Sequence, residues 1–473
     1  MKRTPPRGYL MVLAMVFGTV FLTVLGALTS LVLTENQSQS TATAAARASA
    51  IAEAGVEYYR WFLAHNPNNL TNGTGLPGPY IIPYMDPEGG QTGTISLDIV
   101  GNTSCNALTS IDIRSTGTPT EDPVVSRTIT TRYARPTVAQ FSYVLNDSVW
   151  AGPDRVITGP FHSNGGIRMD GTINSLVTSS LSSWLCTTSF GCTPNQTVSG
   201  VWGAGTNPDL WEYPVPQVDF GAIAADFTSL KTKAQADGHY LPRFSQTNNT
   251  NAASYWHGYR LVFNAAGTIS VYRVTSTSVL SSTHINSGDD LLPDRTLIAN
   301  QTFYTTLTVP ESCGLIFVED NVWVEGTVDG KVTVVAANVA TGLAPNAMLS
   351  GNLVYEQTDG SDGLTLIAER NVLVVPNSPQ NMTLNGIFVA QGGAFGRNHY
   401  PGSSYEHRTT LTILGTTVSN LRTGTKWCLN NGCTSSAGYQ TRIDAYDRNL
   451  ATDPPPFTPQ TSSDYQFVDW REE

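Results

Sequence analysis

The sequence predicts a mainly β chain carried on one long N-terminal α-helix. Three observations predict it. An uncharged run, Tyr9–Leu33, follows the cations Lys2, Arg3 and Arg7. The segment after that run is rich in alanine and meets no proline until Pro67. Beyond it, short alternating apolar segments sit between Gly, Asn and Pro turns, and only 13% of residues are charged, the profile of an extracellular β protein.

The apolar run is 25 residues long, or roughly 37 Å of helix, enough to span a hydrocarbon core of about 30 Å with some tilt. Three roles compete for it: a secretory signal cut behind the run, a permanent anchor, or an anchor trimmed in front of the run. A secretory apolar region is shorter and ends at small residues, whereas this one ends Leu31-Val32-Leu33-Thr34-Glu35. Cations before the run and Glu35 after it leave the short N-terminus in the cytoplasm and send the rest out. Alanine is the best helix former, so the helix continues through the Ala42–Ala50 region and the aromatic end Tyr58, Tyr59, Trp61 and Phe62. It stops at Asn66-Pro67,. Small residues allow close helix approach, and the aromatics are suited to dock the helix end on a globular domain.

Residues 67–145 read as a turn-rich loop followed by a small β subdomain with strands in GTISLDIV, SIDIRSTG, SRTITTRYARP and VAQFSYVLN. From residue 146 to 473 the pattern is that of a right-handed parallel β-helix-like domain. The observation behind this is a repeat: Glu319-Asp320-Asn321-Val322 and Glu369-Arg370-Asn371-Val372 lie 50 residues apart, each a polar turn between two strands. A sandwich or barrel with Greek-key links is the competing architecture. An α+β insertion is expected over about 207–310, helical from Phe220 to Ala236 and with a hairpin turning at Asn264–Gly267,. The Pro-rich tail closes on Tyr465, Phe467 and Trp470 and is expected to pack across the β domain.

Net charge is −11 with no basic run outside the leader, which argues against nucleic-acid binding. Of the six cysteines, Cys186/Cys192 and Cys428/Cys433 have the spacing of small-loop disulfides in an oxidising compartment,. The sequence leaves Cys105 and Cys313 open between a pair and two buried thiols. No GxSxG, HExxH or P-loop pattern occurs. An extracellular β-helix invites a polysaccharide-active enzyme, for which Asp289, Asp290 and Asp294 are the candidate carboxylates, with His162 as a further candidate. The DGSDG turn, Asp359 and Asp362, is a weak calcium candidate, and acid–Gly turns are ordinarily only turns. Otherwise no metal, cofactor or catalytic residue is read from the sequence.

The leader MKRTPPRG ends in Gly8, with Tyr9 opening the helix. Together with AIAEAGVEYYRWFLAHNP, HSNGGIRMDGT, GLTLIAERNVLVVP and the tail residues Tyr446-Asp447 and Asp453-Pro454-Pro455-Pro456, it resembles the PilX-type minor pilins of bacterial type IV pili. The resemblance implies a class III signal cut between Gly8 and Tyr9 by a prepilin peptidase. It also implies a helix that is first an inner-membrane anchor and then packs against other pilin subunits. The expected role is non-enzymatic, in pilus assembly and adhesion to host-cell or surface glycans, first in the inner membrane and then extracellular on the pilus. One departure stands out. The fifth mature position, Glu in shaft pilins, is Leu13 here, which within that resemblance implies a tip position with no subunit above it.

Overall fold

The computed structural model describes residues 8–67, 69–244, 253–285, 294–340, 344–430 and 433–473. Residues outside these ranges include Lys2, Arg3, Arg7, Asp289 and Asp290. The chain divides into two compact units. One comprises residues up to Gly101, Ile111–Tyr133 and Asp469–Glu473; the other comprises Asn102–Ser110 and Ala134–Val468.

In the first unit, α1 runs unbroken from Tyr9 to His65, 57 residues. It is long and apolar enough to cross a membrane. Its first part, through Thr43, is exposed throughout, with Phe21 and Leu22 at 65% and 67%. Its second part buries one stripe: Ala44, Ala48, Ile51, Ala52, Gly55, Val56, Tyr59 and Leu63. Steps of three and four residues hold these on one helix face. The stripe lies on the antiparallel strands β1 (Tyr80–Met85), β2 (Gln91–Ser104), β3 (Ala107–Pro119) and β4 (Arg127–Ala134). The approach is close enough to require glycine: a Cβ on Gly117 would stand 2.1 Å from the Ala48 carbonyl oxygen. The small residues of this stretch, expected to serve helix–helix contact, therefore first serve contact with the chain's own sheet. The terminal strand Gln466–Glu472 lies next to β4, and Thr128 and Glu473 exchange backbone hydrogen bonds of 3.3 and 2.8 Å. The tail thus ends in a sheet, while its earlier part crosses the second unit, where Val138 donates to the Pro459 carbonyl and Thr461 to that of Pro136.

The second unit is a stack of parallel strands, β-helix-like rather than a Greek-key sandwich. Its longest ladder brings together, in spatial order, segments 239–241, 315–318, 333–336, 365–368, 387–390, 416–419, 143–145, 161–163, 177–179 and 211–212. Spatial order departs from chain order. The chain enters mid-stack at Tyr143, reaches one end at Trp211–Glu212 and crosses to the other end at His239. It then returns, so that Thr417–Ser419 pairs with Tyr143–Leu145. Within 207–310, His239–Leu241 and Gly258–Phe263 are parallel partners of stack strands, and Thr268–Leu280 with Asp294–Thr308 forms an antiparallel arm. The expected helix 220–236 is two helices, Phe220–Ile223 and Phe227–Ala236. Each begins at its own aspartate: Asp219 accepts from Gly221 and Ala222, and Asp226 accepts from Ser229,. The hairpin turns between Asn264 and Thr268, as expected.

Asparagine fixes the rungs. Asn321, Asn346 and Asn371 are buried to 2%, 1% and 1% exposure and lie one above another. Asn346 N–H donates to Asn321 Oδ1 (2.9 Å). Asn371 donates to Asn346 Oδ1 from its backbone (3.2 Å) and from Nδ2 (3.1 Å), and Ala394 N–H donates to Asn371 Oδ1 (2.8 Å). The 50-residue repeat visible in the sequence is therefore two rungs of 25, with Asn346 as the unrecognised middle member.

Asn346→Ala removes the side-chain acceptor that Asn371 uses twice in a buried position. The expected loss is about 2–4 kcal/mol of stability, read as a lowered midpoint in denaturant unfolding. A change below about 0.5 kcal/mol, the range of a neutral surface substitution, would show that the ladder contributes nothing.

Candidate functional site

Among the described residues, the sequence-predicted site residues are distributed without forming a catalytic group; Asp289 and Asp290 lie outside the described residues. Gly8 precedes the first turn of α1, and its carbonyl accepts from Val12 N–H at 3.3 Å. Asp294 is buried, with Oδ1 taken by the backbone and hydroxyl of Thr296 (2.9 and 2.8 Å) and Oδ2 by Asn398 Nδ2 and Tyr400 Oη (both 2.9 Å). His162 is buried between Thr178 Oγ1 (2.8 Å) and Asn164 Oδ1 (3.0 Å), where burial lowers its pKa, and it holds a strand position. Asp362 accepts backbone N–H groups on both oxygens, from Gly330 (2.7 Å) and Gln357 (2.6 Å). Asp359 accepts from Ser361. Among the described residues no group of three His, Cys, Asp or Glu side chains is placed to hold a metal ion. All six cysteines are paired: Cys105–Cys313, Cys186–Cys192 and Cys428–Cys433.

Residues of both small disulfide-closed loops stand in the walls of one pocket of about 910 Å³ in the second unit. Thr188, Ser189 and Gly191 of the Cys186–Cys192 loop line it, as do Leu429 and Asn430 of the Cys428–Cys433 loop. Its remaining charged and aromatic lining comes from early rungs (Trp150, Asp154, Arg155, Arg168, Asp170) and late ones (Arg422, Lys426, Trp427, Arg442).

Hydrogen bonds hold these groups in place. Asp170 Oδ2 accepts from Arg168 Nε (2.7 Å) and from the Trp150 indole N–H (2.8 Å), and the Arg168 guanidinium lies 4.5 Å from the Trp150 ring centre, a cation–π distance. Arg422 donates to the Ser189 carbonyl (2.7 Å) and lies 4.1 Å from the Phe190 ring centre. The Trp427 indole donates to the Arg397 carbonyl (2.8 Å). Asp154 receives Arg442 through Nε (2.9 Å) and Nη2 (3.1 Å), with Lys426 Nζ at 3.3 Å. Behind this wall, Arg155 binds Asp444 (2.8 Å) and the Tyr143 hydroxyl (2.7 Å), and that hydroxyl donates to Asp444 (2.8 Å). Sequence reasoning missed the pocket. Its only local signal was the pair of short cysteine loops.

Burial raises the Asp154 carboxyl, but Arg442 and Lys426 outweigh it and hold the pKa below its ordinary value. A carboxylate whose folded pKa is depressed contributes stability above its unfolded pKa of about 3.9 and loses it as pH falls through the folded value. The melting temperature should therefore fall on acidification below about pH 4. Asp154→Asn should show a smaller fall over that window in parallel thermal melts. An unchanged slope would remove Asp154 from the acid response.

No family model matches the chain, and no curated protein does. Among solved structures, the crystal structure of the competence-associated pilin ComZ from Thermus thermophilus aligns over 91% of this chain and 98% of that chain, at 13% identity and a TM-score of 0.34.

Proposed function

We propose that this chain is a non-enzymatic, minor pilin-like subunit of a type IV pilus system that acts in pilus assembly and surface adhesion, with its place at the filament tip. The observation that carries the reading is the division of α1. One continuous helix exposes apolar side chains all round from Tyr9 to Leu33, stays exposed through a polar stretch to Thr43, and then buries a small-residue stripe against its own sheet. An apolar surface of that size needs lipid or other apolar helices to cover it. A helix that anchors in the inner membrane before assembly and packs among pilin helices afterwards meets both needs in turn. The tip position rests on Leu13, which offers no carboxylate to the amine of a neighbouring subunit. The competing enzyme reading loses Asp294 as a reactive group, because both its oxygens already accept hydrogen bonds in the interior.

Processing tests this directly. Mass spectrometry of wild-type protein from sheared surface filaments should find an N-terminus at Tyr9. Gly8→Arg should leave an uncut precursor in the membrane fraction and none in filaments. Intact Met1 in surface filaments of the wild type would overturn the pilin-like reading.

A further inference from the structure

The pocket between the two disulfide-closed loops has the size, charge and shape of a saccharide site, and we infer that it binds an acidic sugar, a carboxylate-bearing residue of a surface glycan. The inference rests on the adhesion half of the reading above. Four observations carry it. First, about 910 Å³ is at the upper end of ordinary ligand pockets and accommodates more than one sugar ring. Second, with Arg155 set aside as the partner of buried Asp444, four cations (Arg168, Arg422, Lys426, Arg442) share the lining with two carboxylates (Asp154, Asp170). This excess of positive charge occurs in a chain of net charge −11. Third, both carboxylates are already engaged, Asp154 by Arg442 and Lys426 and Asp170 by Arg168, whereas Arg422 donates its hydrogen bond to a neutral carbonyl and has Asp147 as an electrostatic neighbour. A ligand carboxylate would supply the charge-assisted partner that Arg422 does not receive from that carbonyl. Fourth, Trp150 and Trp427 line the same space, with Arg168 over the ring of the first and His399 stacked on that of the second, so only their remaining ring surface can meet the apolar face of a pyranose, and Thr188, Ser189 and Asn430 offer donors and acceptors to its hydroxyls.

The site is also ordered before binding. Asp154 and Asp170 hold three of the cations, and Thr188, Ser189 and Gly191 lie within the loop closed by Cys186–Cys192, so little freedom of these groups remains to be lost. With a net charge of −11 over the chain, an extended phosphate backbone would meet an overall negative field outside the pocket.

The full-length chain in detergent micelles can be tested by isothermal titration calorimetry with trigalacturonate, 3′-sialyllactose, the methyl ester of trigalacturonate and a thymidine oligonucleotide. At least one of the two acidic sugars should bind, and which one does distinguishes a uronate polymer from a terminal sialic acid as the source. Its affinity should fall with added salt. The neutral ester should bind about tenfold or more weakly, the scale of losing one charge-assisted contact. Arg422→Gln and Lys426→Gln should each weaken the acidic sugar by about tenfold. Leu429→Glu, at a lining residue 43% exposed, should do the same with an unchanged melting temperature, so the inference stays open to refutation even where a pocket cation is needed for folding. It is overturned if neither acidic sugar binds, if the ester binds equally well, if the oligonucleotide binds more tightly than both sugars, if Leu429→Glu leaves affinity unchanged, or if the sugars are cleaved. The uncut Gly8→Arg precursor should bind like the wild type, so failure of the pocket and failure of the pilin-like reading are separately visible.

Discussion

A parallel stack must give every buried backbone group a partner in the next rung, and most of the second unit follows from that requirement. An unpaired N–H or C=O inside the stack costs what a lost hydrogen bond costs. Within strands the ladder supplies the partners. At the corners the backbone turns away from its neighbour, and there the side-chain oxygens of Asn321, Asn346 and Asn371 accept the orphaned N–H of the rung above. Corners inside long strands are met differently. Gly386 and Gly415 are register partners at φ of 142° and 137°, and a Cβ on Gly415 would stand 1.9 Å from the Gly386 carbonyl oxygen. A bend there requires residues without side chains.

The same requirement explains the closure of the stack upon itself. The rung containing Thr417–Ser419 would end with open backbone groups if Tyr143–Leu145 did not pair with it. Arg155, Asp444 and the Tyr143 hydroxyl form a closed buried triad at this junction, joining residues about 300 apart in the chain. A buried ion pair of this kind is costly to break because a lone charge is left behind. Early and late rungs therefore depend on each other, and contacts of such sequence separation make for slow folding. The pocket stands at this same junction, with Trp150 and Arg168 from one side and Arg422 and Trp427 from the other. It exists only once the junction has closed.

What could be read from the sequence and what could not divide along this line. The helix was legible to its last turn, because helix formers and a terminating Asn-Pro are local signals. Strands and turns were legible for the same reason, and so were the cysteine loops. Asn321 and Asn371 were visible because each follows an acidic dipeptide or an acid–Arg pair. Asn346 follows Ala344-Pro345 and lacks that mark, so the true rung length was hidden. The break between the helices at Asp226 was missed because one continuous apolar face outweighed a capping aspartate. The order of the rungs left no local trace at all. It is a property of which strand edges remain unpaired once the others have formed, and the pocket inherits that silence, since Arg168 sits more than 250 residues from Arg422, Lys426 and Arg442 along the chain.

The three disulfides serve different ends for the same reason. On the chain-entropy model, closing a loop of five or six residues stabilises by only about 2 kcal/mol, against about 5 kcal/mol for a loop of some 200. Cys105–Cys313 spans 208 residues. It ties Cys105, within the Asn102–Ser110 segment that groups with the second unit, to Cys313 just before the strand Leu315–Val318 of the same unit. Cys186–Cys192 and Cys428–Cys433, separated by 6 and 5 residues, contribute little of that kind. Their place is local: Thr188, Ser189 and Gly191 of the one loop and Leu429 and Asn430 of the other line a charged pocket. A short covalent loop adds least to global stability and most to local order, which is the combination a preformed recognition surface requires.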